Sequence, residues 1–170
     1  MQYMLVAYVE DKPGVLNRVS SLFRRRAFNI ESLTVGHTDQ PGVSRMTIVV
    51  DADEMEIRRI EANLYKLVNV LRVENVSSTP AVTRDLALIK VAADINTRAQ
   101  VMQLVDVANE SLMVEITGTE DKIEGLIEVL RPLGIIEMVR TGIVAMTRGS
   151  TTVTVNPPLV PAQVPEMTTA

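Results

Sequence analysis

The sequence contains no cysteine and a single histidine among its 170 residues. Without cysteine the chain has no disulfide, no thiolate nucleophile and no cysteine-ligated zinc site. One histidine, His37, excludes a metal site built from several histidines and a histidine dyad. Aromatic residues make up only 3% of the chain, so the core has to be built from Val, Leu, Ile and Met.

Long apolar runs and an excess of positive charge are also missing. No apolar run approaches the roughly 20 residues that a membrane-spanning helix needs, and the N-terminal residues lack the features of a signal peptide. The formal net charge is −4, which argues against a general nucleic-acid binder because such binding depends on Lys and Arg neutralising phosphates. These absences predict a soluble cytoplasmic protein that binds neither membranes nor nucleic acid.

The predicted elements of the first half of the chain follow the order β-α-β-β-α-β. Short apolar or alternating runs predict strands, and apolar residues at helical spacing predict two helices between them. Asp53, followed three residues later by Glu56, predicts the start of the second helix. This order is typical of a ferredoxin-like domain. The predicted strands are 3–9, 29–37, 44–51 and 70–76, and the predicted helices begin near Pro13 and Asp53.

A second series of elements follows a short linker at 77–80. A shift of 66 residues places six apolar positions of the helix–strand unit at 57–73 on six at 123–139, which predicts that one architecture is used twice. The space before Gly118 is short, so the second domain is either a reduced version, with a short strand before a turn at 109–111, or lacks residues in this sequence. The predicted strands are 86–94, 111–118 and 134–146, the last bent at Gly142, and the helices begin at Asn96 and Thr119.

These patterns predict an α+β protein of two ferredoxin-like βαββαβ domains. The predicted boundaries are 1–78 for the first domain, 79–149 for the second and 150–170 for a C-terminal tail. The tail holds four of the eight prolines and has no helical period. It is therefore expected to be disordered or to be held only by a partner.

No catalytic constellation is evident in the sequence. General acid–base catalysis needs titratable groups that converge in a pocket, but the acidic residues fall mainly on the polar sides of predicted helices, and His37 lies at a strand end before a turn. The chain has neither a Walker loop nor a dinucleotide fingerprint. Three arginines at 24–26 are expected to close a helix or to contact a protein. We therefore expect no active site and no metal site in this chain.

The turn between the first strand and the first helix offers a different kind of site. A helix N-terminus carries unpaired N–H groups and a partial positive charge, so it can hold a carboxylate, and Gly14 lets a ligand approach the backbone. Asp11 or a nearby carbonyl can meet an ammonium group, and Asn29 can both donate and accept hydrogen bonds. A tight turn needs no ligand, however, and the residues alone leave both interpretations open. The apolar wall of such a site would come from Val15, Leu16, Ile30 and Val35.

Residues 10–36, with the sequence EDKPGVLNRVSSLFRRRAFNIESLTVG, resemble the ACT domain family and, within it, the regulatory (small) subunits of acetolactate synthase, also called acetohydroxyacid synthase. The segment TGTEDKIEGLIEVLRPLGIIEMVRTG is similar to the C-terminal domain of that family. The resemblance covers about residues 1–149 and leaves the tail unassigned. Its most specific motifs are KPGVLNRV, RAFNIESLTVG, SRMTIVV, KLVNVLRV and RDLALIKV.

The resemblance implies a non-catalytic regulatory subunit. Such a subunit binds the large catalytic subunit, raises its activity and confers feedback inhibition by branched-chain amino acids, mostly valine, in valine, isoleucine and leucine biosynthesis. Thiamine diphosphate, magnesium and FAD are then expected in the large subunit and no cofactor in this chain. The alternative is an amino-acid-sensing ACT-domain regulator of another partner, such as a transcriptional regulator; such proteins usually add a DNA-binding helix-turn-helix, for which no room remains.

The resemblance also implies a homodimer with effector sites at the interface between two ACT domains. Two departures from the family matter. Family members often carry Asn where this chain has Asp11, which bears on affinity and on effector identity. The C-terminal domain of the family usually has several more residues near 107–109. Carried onto this sequence, the effector site consists of Asp11, Gly14, Val15 and Leu16 from one chain and Asn29, Ile30 and Val35 from its neighbour.

Overall fold

The computed structural model describes residues 1–92, 107–108 and 111–149. The predicted helix from Asn96 and the predicted tail lie outside the described residues. No helix within these ranges is long and apolar enough to cross a bilayer. The strands are β1 (Gln2–Glu10), β2 (Ser32–His37), β3 (Val43–Asp51), β4 (Val70–Asn75), β5 (Ala81–Ala92), β6 (Val107–Ala108), β7 (Ser111–Gly118), β8 (Ile135–Arg140) and β9 (Val144–Thr147), and the described helices are α1 (Val15–Arg25), α2 (Glu54–Leu64) and α3 (Glu120–Leu130), which a 3-10 turn at Arg131–Leu133 follows.

The first sheet has the strand order β2-β3-β1-β4, with every neighbouring pair antiparallel. Alternate residues of β1 and β3 point toward α1 and α2 and form one aliphatic core with them. The predicted order of elements in the first domain is thereby confirmed. The buried residues of the two helices recur at helical spacing, as the sequence predicts, and they are Val15, Val19 and Phe23 in α1 and Ile57, Ile60 and Leu64 in α2.

The second sheet, with the order β6-β7-β5-β8, repeats the order of the first. Its core lies between β5, β7 and one face of α3. The predicted fold class, two ferredoxin-like α+β domains, is confirmed. β6 contains two residues, paired with the start of β7, whereas its counterpart β2 contains six. The short strand expected before the turn at 109–111 is therefore present, and the second sheet is a reduced form of the first.

Among the described elements, the internal repeat is exact for the helices α2 and α3 and off by one residue for the strands β4 and β8 that follow them. A shift of 66 residues carries the bounds of α2 onto those of α3, but the matched strand positions Ile136 and Val139 are 57% and 58% exposed. Ile135 pairs with Val91 beside a bulge, as Val70 does beside the equivalent bulge of β1. The correct shift for the strand is thus 65, because a slip of one residue sends a side chain to the opposite face.

The last predicted strand, 134–146, is two strands. β8 pairs with the second half of β5, and β9 pairs with residues 81–84 at the beginning of β5. β5 starts at Ala81, five residues earlier than predicted. The break lies at 141–143, where Gly142 has a φ of 89°. The predicted bend at Gly142 is therefore a turn that ends one strand and starts another.

β9 packs against the face of the first sheet that lies opposite α1 and α2, which we call the rear face. Ala145 is fully buried in a small cluster with Val6 and Val76, and the Arg45 guanidinium on this face donates to the Ala145 carbonyl. The same guanidinium lies 5.9 Å from the centre of the Tyr8 ring. The two domains are thus joined by packing as well as by the linker.

Candidate effector site

The turn between β1 and α1 leaves the first N–H groups of the helix uncovered. Gly14 is the N-cap residue, in the left-handed conformation (φ 84°, ψ −5°), and offers no capping side chain. The Val15 N–H donates to the Lys12 carbonyl at 3.3 Å, whereas the N–H groups of Leu16 and Asn17 have no acceptor in the described part of the chain. Because α1 has no acidic residue in its first turn, its positive end remains available to an anion.

Gly14 is required by the backbone at this turn. A non-glycine residue in the left-handed region costs about 1–2 kcal/mol. A Cβ added at Gly14 would meet no atom within 4 Å, so the outside of the turn is open. The glycine therefore serves the tight turn and also exposes the backbone beside the helix N-terminus.

Asp11 is tied to the hairpin formed by β2 and β3. Its Oδ1 accepts a hydrogen bond from Ser44 Oγ at 3.2 Å, and its Oδ2 lies 3.3 Å from His37 Nδ1. The Asp11 N–H donates to the Gly42 carbonyl at 2.8 Å. These partners, which the sequence analysis did not identify, hold the carboxylate beside the turn. Of these partners, only His37 was singled out from the sequence, as a residue at a strand end before a turn.

The side chains of Val15 and Leu16 point in different directions. Val15 is 4% exposed and packs in the first core, whereas Leu16 is 45% exposed. The side chain of Val15 therefore does not line a surface site, and Val15 is available to a ligand only through its backbone. Leu16 is the apolar side chain that α1 presents near its N-terminus.

The other predicted residues lie before and within β2. β2 begins at Ser32, three residues later than predicted, so Asn29 and Ile30 belong to the loop that precedes it. The Asn29 amide donates to Glu31 Oε1 at 2.6 Å, and Ile30 is half-buried against the first core. Val35 lies on β2 and is 42% exposed. Asn29 and Ile30 therefore lie at the start of β2, whereas Val35 lies nearer its end.

One chain does not bring the two groups of predicted residues together. Asp11 lies beside His37, at the end of β2, whereas Asn29 lies before Ser32, at its start. Five residue steps of about 3.4 Å place these ends about 17 Å apart. β2 is also an edge strand. If two chains paired their β2 edges antiparallel about a twofold axis, the start of one β2 would face the end of the other.

A second network holds the base of the turn. The Asn69 amide donates to Glu10 Oε2, Lys12 Nζ lies 3.1 Å from the same oxygen, and Arg18 donates to Asn69 Oδ1 at 2.5 Å. The hydrogen bonds from Asn69 and then Lys12 lower the pKa of the Glu10 carboxyl. This network connects β1, α1 and the residue before β4, and no local sequence pattern predicts it because Asn69 is distant in the chain.

Both domains of the chain match family models. Residues 5–72 match the model described as "AHAS small subunit-like ACT domain", and residues 84–149 match the one described as "Small subunit of acetolactate synthase". The two matches together cover well over half of the chain, and they fall on the first and second sheets.

Several proteins are similar along most of their length. The chain is 48% identical to an acetolactate synthase small subunit of Mycolicibacterium smegmatis, over 86% of this chain and 91% of the relative. It is 44% identical to a probable acetolactate synthase small subunit of Archaeoglobus fulgidus, over 88% and 99%. The crystal structure of the acetolactate synthase small subunit from Thermotoga maritima superposes with a TM-score of 0.78 at 38% identity, over 89% of this chain and 99% of that one.

The alignment with the Mycolicibacterium protein includes residues that this chain lacks. It extends over 155 residues but covers 86% of the 170 residues of this chain, which is about 146. The relative therefore has about nine residues between its aligned ends that this chain lacks.

Proposed function

Because the chain belongs to the family of acetolactate synthase small subunits, we propose that it is the non-catalytic regulatory subunit of an acetolactate synthase. It binds the large catalytic subunit, raises its activity and makes that activity subject to feedback inhibition by a branched-chain amino acid, with valine as the first candidate. The observation that carries this proposal is the similarity to small subunits along both domains.

The proposed effector is recognised by the chemistry of the β1–α1 turn. Its carboxylate accepts hydrogen bonds from the free N–H groups at the start of α1, its ammonium group donates to a turn carbonyl, and Asp11 lies beside the ligand carboxylate. Its aliphatic side chain packs against exposed or half-buried apolar residues. These residues are Leu16 from one chain and Ile30 and Val35 from the neighbouring chain.

The proposed site is complete only in a homodimer. Asp11 and Asn29 lie at opposite ends of β2, and the free edge of β2 offers unpaired backbone groups to a second copy. A twofold axis at this edge supplies Asn29 of one chain to the turn of the other. Each dimer then has two equivalent effector sites.

In the proposed complex, the large subunit carries out the catalysis and the small subunit regulates it. Thiamine diphosphate, magnesium and FAD belong to that subunit, which joins a hydroxyethyl group derived from pyruvate to a 2-ketoacid. The small subunit acts by linkage: valine inhibits only if it binds more tightly to the less active form of the complex. We expect no acetolactate from the small subunit alone, and turnover without a large subunit would contradict the proposal.

Calorimetric titration with valine, with leucine and isoleucine as comparators, tests the proposed site. We expect saturable binding of one valine per chain, and loss of binding in Gly14→Asp because the new carboxylate repels that of the ligand at the helix N-terminus. Gly14→Asn is the matched control, because Asn has the same size and tolerates the left-handed conformation equally well. It should retain more affinity than Gly14→Asp.

The outcomes separate the site from the regulatory role. Equal valine affinity in Gly14→Asp and the wild type would remove the β1–α1 turn from the effector site. Wild-type protein that fails to change the activity of a co-purified large subunit would contradict the regulatory role itself.

A further inference from the structure

The rear face of β2 is hydrogen-bonded to the second domain. Ser32 Oγ accepts a hydrogen bond from the Ile143 N–H at 2.9 Å, and Thr34 Oγ1 donates to the Thr141 carbonyl at 3.4 Å. Ser32 and Thr34 alternate along β2 with Leu33, which packs in the first core. We call these contacts between β2 and the turn at 141–143 the β2 junction.

The β2 junction continues into the second domain through a buried carboxylate. The side chain of Asp85 is 2% exposed, and its Oδ1 accepts from the Gly142 N–H at 3.1 Å. Its Oδ2 lies 2.7 Å from Arg140 Nε and 2.6 Å from a terminal nitrogen of the same guanidinium. The other terminal nitrogen lies 2.6 Å from Glu124 Oε1 on α3. An unbroken series of polar contacts therefore runs from β2 to α3.

The turn at 141–143 fits against β2 only with glycine at its centre. Gly142 has a φ of 89°, and an added Cβ would lie 2.6 Å from Ser32 Oγ and 3.1 Å from Thr34 Oγ1. Both the backbone conformation and the close approach exclude a side chain here. The geometry of the turn is thus set jointly by the two domains.

Ser32 places the β2 junction close in sequence to residues of the proposed effector site. Ser32 follows Asn29 by three residues and Ile30 by two, and both belong to the proposed effector site. A displacement at the start of β2 reaches the turn at 141–143 directly. Asp85 and Arg140 have to follow that turn, because a buried charge that loses its partner is strongly destabilised.

We propose that the β2 junction transmits effector binding from the first domain to the second, with Ser32, Gly142 and Asp85 as positioning residues that do not touch the effector. The inference rests on the proposed function and adds the route by which the effector acts. The element that changes position is the turn between β8 and β9, which both domains hold.

Two variants at the β2 junction test the proposal in the complex with the large subunit. Ser32→Ala removes the acceptor of the Ile143 N–H, and Gly142→Ala displaces the turn. Gly125→Ala, on the exposed face of α3 with nothing within 4 Å of an added Cβ, is the matched control. Valine affinity is measured by calorimetry and inhibition at saturating valine by the rate of acetolactate formation.

We expect both junction variants to bind valine within about twofold of the wild type while the effect of saturating valine on activity falls by about fivefold or more, the size of an ordinary allosteric coupling. Gly125→Ala should be inhibited normally. If Gly142→Ala does not fold, the response of Ser32→Ala to valine tests the proposal by itself.

Three results would count against the proposal. Normal inhibition of both junction variants would overturn the inference and leave the proposed function standing. Parallel loss of valine binding and inhibition would show local damage to the site rather than loss of transmission, and would also overturn it. A wild-type complex that binds none of valine, leucine and isoleucine would overturn the proposed effector site, and the inference with it, while the activation of the large subunit would be tested separately.

Discussion

Glu10 and Asp11 are adjacent carboxylates in very different surroundings. Glu10 is 8% exposed and bonded to Asn69, whereas Asp11 is exposed and faces His37 and Ser44. The first holds the base of the β1–α1 turn, and the second lies beside the opening where the ligand is proposed to bind. The role of Glu10 is therefore tested by the free energy of unfolding, and the role of Asp11 by the affinity for valine.

We expect Glu10 to make stability depend on pH. Its pKa is lowered in the folded protein, first by the hydrogen bond from Asn69 and then by that from Lys12. Such a carboxyl stabilises the fold above its unfolded pKa, and the contribution is lost as the pH falls through the folded pKa.

The measurement is urea unfolding of the wild type and Glu10→Gln from pH 7 to pH 3. The wild type should have the higher free energy of unfolding at pH 7, and the difference should shrink below about pH 4.3, the ordinary pKa of Glu. A difference of the same size at both ends of the series would contradict the role of the charged form.

We expect Asp11→Asn to bind valine about fivefold more tightly, which corresponds to about 1 kcal/mol for a charge near the surface. The Asn carbonyl still accepts from Ser44, but the like charge beside the ligand carboxylate is gone. Calorimetry measures the valine affinity. Weaker binding in Asp11→Asn would instead assign Asp11 to the ligand ammonium.

At the scale of elements, the described helices differ in how their N-termini are covered. α2 has a capping box in which Asp53 accepts from the N–H groups of Met55 and Glu56, and the Glu56 carboxylate accepts from the Asp53 N–H. α3 has Glu120 and Asp121 in its first turn. α1 has neither a capping side chain nor an acidic residue there. Its N-terminus is the one among these three that remains free for a ligand anion.

We expect Asp53→Ala to lower the free energy of unfolding by about 1 kcal/mol, which corresponds to roughly 2–4 °C in the thermal midpoint for a chain of this size. Valine binding should be unchanged, because α2 does not contribute to the proposed site. Thermal unfolding and calorimetry check the two expectations. A loss of valine affinity would show that α2 supports the β1–α1 turn.

At the scale of the whole molecule, β9 joins the two domains. Ala145 is fully buried against the rear face of the first sheet, whereas its neighbour Val144 is 43% exposed. We expect Ala145→Asp to separate the domains, because an unpaired buried charge costs about 3 kcal/mol or more. The thermal midpoint should fall by roughly 6–12 °C, and the radius of gyration from X-ray scattering should rise.

Val144→Asp is the matched control on the same strand. Its charge would face solvent, so we expect a change within about 0.5 kcal/mol and an unaltered radius of gyration. Equal effects of the two substitutions would mean that β9 does not hold the domains together.

The sequence by itself determined the local elements and the family. Helical spacing specified α2 and its buried residues, Asp53 with Glu56 specified its start, and the turn before α1 specified an open helix N-terminus around Gly14. These features depend on residues that are close together in the chain, so they can be predicted without knowledge of the fold. The same applies to the motifs that carry the resemblance, since they are contiguous.

Only the tertiary structure decided how distant residues meet. The exposure of Ile136 and Val139, the division of the last strand at Gly142 and the burial of the Val15 side chain all depend on strand register and packing. The same is true of the contacts of Asp11 with His37 and Ser44, and of the β2 junction, which joins residues more than 100 positions apart. Pairing across such distances depends on the shape of the folded chain, which no local spacing encodes.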